Sequence, residues 1–429
     1  MTKLFTNCKI YSPTGWKNQD LLVDDFGKIA PLGSLNANEV IDLKGQIVIP
    51  GLIDVHVHLR DPGQLHKEDF YTGTSAALAG GVTTVLDMPN NSTPTISQER
   101  LNEKEKLASE KAVCDFGFYI GATDKNASEA TNSSAAAMKI YIGATTGDLL
   151  VDQEDQLEVL FSKFKRTIVV HSEDNTCMNA LASKYEQKVE NHNKLRAPEC
   201  AEISMQKALK LARKHNAKLH IAHMSTKREV ELVKQAKSEG LHVSCEVTPH
   251  HFFLNETIAS EVGNFARVNP PIRSEEDRKA LWDNLSVIDC IATDHAPHTV
   301  EEKVQDYTKS PSGIPGLETT LPLLLDAYSK GQITLEEIVR LTSEGPARVF
   351  GLYEKGTLEV GKDADLVVID MNEKTTLRNG ELKTKCNWTI FNGTECQGRV
   401  KQVYLRGKLV NDNGKILAEK GSGKIVKHK

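Results

Sequence analysis

Short apolar runs alternate with polar segments of helical spacing along most of this chain. The first run includes Ile53, and the others lie at 82–87, 116–120, 138–142, 167–170, 218–221, 241–245 and 287–291. Intervening segments such as 199–214 and 226–239 carry apolar residues at helical intervals. Eight strand-and-helix units in succession predict an α/β fold, a closed parallel (β/α)8 or TIM barrel.

The two ends of the chain carry a different pattern, made of strands alone. Strand-like runs lie at 9–11, 21–23 and 47–49 before the barrel, and at 364–369 and 400–405 after it. A chain of 429 residues also exceeds the size usual for one hydrophobic core. We therefore expect residues 51–352 to form the barrel, and residues 1–50 and 353–429 to form a small composite β-sandwich domain together.

Charge and hydropathy exclude some classes of partner. The formal net charge is −5, and the Lys and Arg residues are scattered, so nucleic acid is not expected as the main partner. No apolar stretch approaches the ~20 residues of a membrane span, and the N-terminus has no signal-peptide core. These features predict a cytoplasmic protein that binds no membrane.

The cysteines show no sign of a disulfide framework or of a thiolate metal site. They are dispersed, without a Cys-x-x-Cys pair, at Cys8, Cys114, Cys177, Cys200, Cys245, Cys290, Cys386 and Cys396. We expect reduced thiols, most of them in the core.

Candidate metal ligands stand at the ends of several predicted strands. His56 and His58 project from the same face, because successive side chains alternate along a strand. A bare His-x-His is more often structural, but other runs end on His171, His223 and Asp294. Imidazole and carboxylate groups bind borderline metals such as zinc. Active sites of TIM barrels lie at the carboxyl ends of the strands, so these side chains are expected to converge.

Lys139 is an unusual member of this group, because an ammonium ion repels metal cations. Its neighbours Met138, Ile140 and Tyr141 predict partial desolvation, which lowers the pKa of a lysine and exposes a nucleophilic amine. Such an amine can add carbon dioxide to become a carbamate with two oxygens for a pair of metal ions. The alternative is a lysine at a strand end that reaches solvent.

Longer motifs surround these candidates. They are DVHVHLRDPG at 54–63, DMPNN at 87–91, CEVTPHH at 245–251, TDHAPH at 293–298 and GKDADL at 361–366. Over essentially the whole chain the sequence resembles the amidohydrolase superfamily and, within it, the dihydroorotases. The segments MKIY at 138–141 and GLET at 316–319 are similar to the dihydroorotase domain of the animal multifunctional pyrimidine-synthesis protein.

This resemblance implies an activity and a cofactor. The reaction is the reversible cyclisation of N-carbamoyl-L-aspartate to (S)-dihydroorotate plus water, in the de novo biosynthesis of pyrimidines (UMP). Two Zn²⁺ ions per subunit are implied, bridged by N6-carboxylated Lys139 and a hydroxide. One ion would be held by His56, His58 and Asp294, and the other by His171 and His223. Asp294 would transfer the proton between the hydroxide and the amide nitrogen.

The resemblance also implies substrate contacts and partners. Arg60, Asn90 and His298 would hold the substrate carboxylate. The ring would lie against Asn269, where the animal domain has arginine, and against backbone of Pro311 and Gly313. Thr145 belongs to a loop that covers the substrate in the family. A homodimer is implied, and association with aspartate carbamoyltransferase is one further possibility.

Two other functions are consistent with parts of this pattern. A hydantoinase or allantoinase would keep the metal ligands but would not need Arg60 and Asn90 to bind a carboxylate. A non-catalytic dihydroorotase-like subunit would have lost metal ligands. His66, His250, His251 and His295 are expected outside the ligand set. A structural role is expected for Glu246, with contact to a further metal or orientation of a ligand as the alternatives.

Overall fold

The N-terminal part of the chain is built from short strands. The computed structural model describes residues 1–12, 15–143 and 149–429. Strands β1 to β7 are Lys3–Thr6, Lys9–Ser12, Gly15–Asn18, Leu21–Val23, Ile29–Ala30, Glu39–Asp42 and Ile47–Pro50. Strands β5, β4, β1 and β6 form one sheet in that order, whereas β2, β3 and β7 belong to a second sheet. The three runs predicted in this part are therefore strands.

The next eight strands form the predicted barrel. Strands β8 to β15 are Leu52–Val57, Val82–Asp87, Asp115–Gly121, Ala137–Tyr141, Ile168–His171, Leu219–Ile221, Val243–Val247 and Cys290–Ile291. They lie side by side in sequence order, and the pairs are parallel. The last and first strands meet where the His58 N–H donates to the His295 carbonyl at 2.8 Å. The predicted (β/α)8 fold is confirmed.

Helices connect the strands and cover the barrel. Helices α1 to α15 are Phe70–Ala79, Gln98–Lys111, Ala127–Asn132, Glu154–Lys163, Asn175–Ala182, His192–Leu195, Pro198–His215, Lys227–Ser238, Pro249–Phe253, Ile258–Val262, Glu275–Asp283, Val300–Lys303, Thr320–Ser329, Leu335–Val339 and Gly345–Phe350. Helix α8 begins where predicted, because Thr226 and Glu229 form a reciprocal capping box. No helix in the described part of the chain is long and apolar enough to cross a bilayer.

The last barrel strand is shorter than its sequence predicts. The apolar run 287–291 was expected to be one strand, but a 3₁₀ helix occupies Leu285–Val287 and only Cys290–Ile291 pairs with β14. The apolar residues before the strand are buried all the same. Burial rather than strand pairing therefore accounts for the apolar character of that run.

The prediction that all cysteines are reduced is wrong for one pair. Cys177 in α5 and Cys200 at the start of α7 form a disulfide, with Cα atoms 5.4 Å apart. The two helices bring the residues within the separation that a disulfide needs, although they are 23 positions apart in sequence. The other six cysteines are free and buried, as expected.

Both ends of the chain meet in one sheet. Strands β16 to β19 are Leu366–Thr376, Glu395–Leu405, Lys408–Asp412 and Lys415–Ile416. The sheet has the order β19-β18-β17-β16-β7-β2-β3, and β7 pairs antiparallel with β16. The predicted pairing of the two termini is confirmed. The domain limits 1–50, 51–352 and 353–429 stay a prediction.

A buried ion cluster joins this sheet to the barrel. The Lys355 ammonium lies 2.5 Å from Asp115 at the start of β10, and 2.8 and 2.7 Å from Asp363 and Asp365. Arg406 also contacts Asp115. Lys28 also contacts Asp363 at 2.7 Å, so three cations face the three carboxylates and the acidic cluster is explained as a structural ion network.

Candidate metal centre and active site

The predicted metal ligands converge at the carboxyl ends of the barrel strands. His56 lies on β8 and His58 directly after it, Lys139 lies on β11, and His171 ends β12. His223 and Asp294 follow β13 and β15 by two and three residues. All six side chains line one cavity and are buried.

Short distances link five of these side chains in two neighbouring sets. Asp294 Oδ1 lies 2.9 Å from His58 Nε2 and 3.3 Å from His56 Nε2. His171 Nδ1 lies 2.9 Å from His223 Nε2. Ligand atoms of His56, His223 and Asp294 all lie within 4.8 Å of one another. These nitrogen and oxygen donors fit borderline cations such as zinc.

The opposite ring nitrogens contact groups that orient the imidazoles. His56 Nδ1 contacts Glu246, His58 Nδ1 lies 2.7 Å from Asn90 Oδ1, and His171 Nε2 lies 3.0 Å from a Glu173 oxygen. A carboxylate or amide oxygen behind a histidine fixes which nitrogen faces a metal. Glu246 thus has the orienting role that was one of its expected alternatives. The contact of Glu173 was not predicted from the sequence.

Burial favours the protonation states that metal ligands need. Desolvation lowers the pKa of His58 to about 4, and it also lowers the pKa values of His171 and His223. Burial by itself opposes ionisation of Asp294, but the neighbouring His56 and His58 lower the pKa of this carboxyl below its usual value. At neutral pH the imidazoles of His58, His171 and His223 are therefore neutral, and Asp294 is a carboxylate.

Lys139 is desolvated, as its neighbours in the sequence predicted. Its side chain is fully buried, and burial lowers its pKa to about 8. Nζ has no hydrogen-bond partner among the residues that the structure describes, and it lies 5.3 Å from the centre of the Tyr141 ring. A buried amine without a partner at a metal-ligand cavity fits a lysine that is completed by carboxylation.

Three residues of the cavity have a strained backbone. Arg60, His223 and Asp294 adopt φ angles of 63°, 36° and 48°. Residues other than glycine rarely adopt positive φ, at a cost of about 1–3 kcal/mol each, and such residues cluster at functional sites. All three residues lie just beyond barrel strands, and the positive φ angles direct their side chains into the cavity.

Comparisons with known proteins agree with this geometry. A family model described as the amidohydrolase family matches residues 47–410. The chain belongs to the amidohydrolase family. A dihydroorotase of Pyrococcus horikoshii is 39% identical over 386 residues, which cover 90% of this amidohydrolase and 85% of the relative. Multifunctional protein CAD of Squalus acanthias is also 39% identical over 386 residues, 89% of this chain but 16% of that protein.

The solved structures that match this amidohydrolase include hydantoinases. The L-hydantoinase (dihydropyrimidinase) of Arthrobacter aurescens superposes with a TM-score of 0.94 at 31% sequence identity, over 99% of both chains. The barrel and the terminal sheets are thus shared with enzymes named for different cyclic amides. The choice between substrates depends on the residues around the metal ligands.

Most of the predicted substrate residues of the amidohydrolase lie in the same cavity. Arg60, Asn90, Asn269 and Gly313 line it together with the metal ligands. Arg60 is held from behind, because its Nε donates to the Pro297 carbonyl at 3.2 Å. The guanidinium nitrogens thus remain at the cavity wall, where a carboxylate can bind.

Other predicted substrate residues lie elsewhere. Among the described residues, neither His298 nor Pro311 lines the cavity. His298 lies behind Arg60, with Nε2 at 3.1 Å from Arg60 Nη2. Thr145 falls within 144–148, outside the described residues. His295 points away from the cavity, as expected, toward Glu68 at 3.4 Å.

Gly313 brings two backbone segments together at the cavity. Its φ is 150°, and a Cβ at this position would lie 2.4 Å from the Ala296 carbonyl oxygen. A larger residue would push the loop away from Ala296. The close approach of these two segments therefore requires glycine at position 313.

Lys303 supports this loop and was missed by sequence reasoning. In a short acidic helix it has the pattern of a solvated lysine, yet it is fully buried in the structure. Its ammonium donates to the carbonyls of Arg267, Pro311 and Gly313 at 3.0, 2.9 and 3.2 Å. One cation thus joins the segment before Asn269 to the loop that contains Gly313.

Lys303→Met is expected to loosen this wall of the cavity. The variant removes the ammonium donor from three carbonyls, although that of Arg267 keeps the Gly313 N–H at 3.0 Å, so we expect the free energy of unfolding to fall by about 2 to 4 kcal/mol. Urea unfolding measures the loss of stability, and the KM for the substrate measures the loosening of the cavity wall. Lys309→Met, at an exposed position in the same loop, is the matched control. Unchanged stability and KM for Lys303→Met would show that the loop does not depend on this ammonium.

Proposed function

We propose that this amidohydrolase is a dihydroorotase, which interconverts N-carbamoyl-L-aspartate and dihydroorotate. The observation that carries the proposal is the Arg60 guanidinium at the wall of the cavity that holds the metal-ligand side chains. Dihydroorotate has a carboxylate beside its cyclic amide, and the guanidinium matches that group. Curated relatives named dihydroorotase, at 35 to 39% identity over most of the chain, support the same function.

The cofactor of the proposal is a pair of zinc ions. His56, His58 and Asp294 would hold one ion, and His171 and His223 the other. Lys139 would bridge them as a carbamate, a role for which its buried and unpartnered amine is suited. When bound, the ions supply an activated water and polarise the amide carbonyl of the substrate.

Asp294 is the proposed proton carrier. During hydrolysis an oxygen from water bonds to the ring carbonyl carbon, the carbon–nitrogen bond breaks, and the nitrogen gains a proton. Asp294 is ionised, and one of its oxygens lies within 4.8 Å of ligand nitrogens of His56 and His223, so it can accept the proton from water and deliver it to the nitrogen. Ring closure follows the same steps in reverse.

Arg60 and Asn90 are the proposed carboxylate-binding pair. Arg60 presents a planar fork of donors that matches two carboxylate oxygens. Asn90 Oδ1 accepts from His58, and the amide group also carries N–H donors, which are the type of group that binds carboxylate oxygens. Asn90 therefore links carboxylate binding to the orientation of a metal ligand.

Arg60→Met tests the assignment to dihydroorotate. A guanidinium and carboxylate pair is worth ~2 to 5 kcal/mol when partly desolvated, so kcat/KM for dihydroorotate should fall about 30-fold or more. Zinc content should stay normal. Dihydrouracil, which lacks the carboxylate, should be a poor substrate for both proteins. The substitution should change kcat/KM for dihydrouracil little.

The matched control for this test is Arg100→Met, because Arg100 is exposed and pairs with the nearby Glu103 at 2.7 Å. Its kinetics should equal those of the unaltered enzyme. Equal losses on both substrates for Arg60→Met would contradict the proposed role of the guanidinium.

A hydantoinase is the second candidate, favoured by the close superposition on the L-hydantoinase structure. An unaltered enzyme that prefers hydantoin or dihydrouracil to dihydroorotate would establish this alternative. The cytoplasmic location, the homodimer and the association with aspartate carbamoyltransferase stay predictions. The contacts of Thr145, Asn269, His298 and Pro311 with substrate also stay predictions.

A further inference from the structure

Lys67 is a buried lysine behind the substrate wall that the proposed mechanism does not use. It lies just before helix α1 and is 7% exposed. Its Nζ lies 3.0 Å from His298 Nδ1 and 3.1 Å from a carboxylate oxygen of Glu302. The lysine thus bridges an acidic counter-ion and the imidazole that stands behind Arg60.

The other ring nitrogen of His298 faces two groups with opposite requirements. Nε2 lies 3.0 Å from the Ser312 carbonyl oxygen, which only accepts a hydrogen bond. It also lies 3.1 Å from Arg60 Nη2, which only donates. A single nitrogen atom satisfies one of these neighbours at a time, so the position of the ring proton decides which one.

His298 carries one ring proton rather than two. Burial, reinforced by the charge of Arg60, lowers its pKa to about 3, so the imidazole is neutral near pH 7. The Lys67 ammonium has donors and no acceptor, so it needs a lone pair on Nδ1. The proton of His298 is consequently on Nε2, where it is donated to Ser312.

This proton arrangement affects Arg60. When Nε2 carries a hydrogen, it cannot accept a hydrogen bond from Arg60 Nη2. The Arg60 guanidinium is then held through Nε on the Pro297 carbonyl, and its Nη donors are left for a ligand in the cavity. With the proton on Nδ1 instead, Nε2 would bind Arg60 and the Ser312 carbonyl would lose its donor.

We propose that Lys67 is a positioning residue that holds His298 in its Nε2–H tautomer and so keeps the Arg60 guanidinium available to the substrate carboxylate. The link to the carboxylate rests on the proposed function. The tautomer itself follows from the contacts of His298 with Lys67 and Ser312, because the Glu302 carboxylate that also faces Nδ1 lies 3.7 Å away, beyond hydrogen-bond distance. The two parts therefore have separate tests.

The tautomer is tested by ¹⁵N NMR of the histidine rings in the unaltered, metal-loaded enzyme. The His298 signals are assigned by their loss in His298→Gln. We expect a protonated Nε2 and an unprotonated Nδ1 for this residue. A protonated Nδ1 would overturn the proposal, and this measurement requires no Lys67 variant to fold and no activity.

The effect on the substrate is tested with Lys67→Met. We expect KM for dihydroorotate to rise about tenfold, the size expected for a charge-assisted hydrogen bond, with kcat within about threefold and zinc content unchanged. The His298 ring proton should move to Nδ1 or divide between both nitrogens. Lys67→Arg, which keeps a donor cation, should restore most of the affinity.

A double-mutant cycle separates this role from a general loss of stability. In a His298→Gln background, Lys67→Met should raise KM by less than about twofold, because the imidazole through which Lys67 acts is absent. His66→Ala is the control, since His66 is exposed and also contacts Glu302, at 3.4 Å. Additive effects in the cycle, or an unchanged KM for Lys67→Met in an enzyme that turns over dihydroorotate, would overturn the proposal. If the unaltered enzyme does not turn over dihydroorotate, the proposed function is contradicted. The NMR measurement then decides the tautomer by itself.

Discussion

Lys139→Ala is expected to eliminate turnover of dihydroorotate and to release metal from the enzyme. Without the carbamate, two cations would face each other across a cavity with no shared anion, and their repulsion would be uncompensated. The loss of metal affinity and activity should exceed the decrease of about 10- to 100-fold that is typical when a group behind the ligands is mutated. Zinc per chain and the rate of dihydroorotate hydrolysis measure the two effects.

Two controls strengthen this experiment. Short carboxylic acids such as acetate or propionate are expected to restore part of the activity, because they supply the missing oxygens. Lys125→Ala removes an exposed lysine, whose side chain is 88% accessible, and should change neither quantity. Near-normal zinc and turnover in Lys139→Ala would rule out the bridging carbamate.

Asp294→Asn is expected to lower kcat by ~10²- to 10⁴-fold while the enzyme keeps part of its metal. The amide oxygen can still act as a ligand, but the group can no longer accept a proton. Because neighbouring imidazoles hold the pKa of Asp294 below its usual value, the carboxylate is ionised throughout the neutral range. Loss of activity at low pH in the unaltered enzyme should therefore come from protonation of other groups.

The measurement for this variant combines kcat with zinc content. Asp306→Asn, at an exposed position in the loop after α12, serves as the control. If Asp294→Asn retains zinc and its kcat stays within a few fold of the unaltered value, another residue carries the proton.

The fold and the metal-ligand side chains were largely readable in the sequence. The alternation of apolar runs and helical segments is a local pattern, and each ligand stands at or just past the end of its run. Because parallel strands of a closed barrel all end at one rim, these positions also specify that the side chains converge. The pairing of β7 with β16 followed from the β pattern at both termini.

Some local patterns were misread. The apolar run at 287–291 is buried, but its first residue belongs to a 3₁₀ helix, since apolar character reports burial before it reports pairing. The spacing of Cys177 and Cys200 gave no reason to pair them. They are brought together by the tertiary arrangement of helices α5 and α7.

The sequence by itself determined the type of barrel, the side chains that converge on the cavity as candidate metal ligands, and the guanidinium beside them. The tertiary structure decided which nitrogen of each imidazole faces the centre, and which cations support the substrate wall. His56 and Glu246 are 190 positions apart, and Lys67 and His298 are 231 apart. Orientation depends on such hydrogen bonds between distant segments, and no periodicity in a linear sequence encodes them, because they exist only when the barrel has closed.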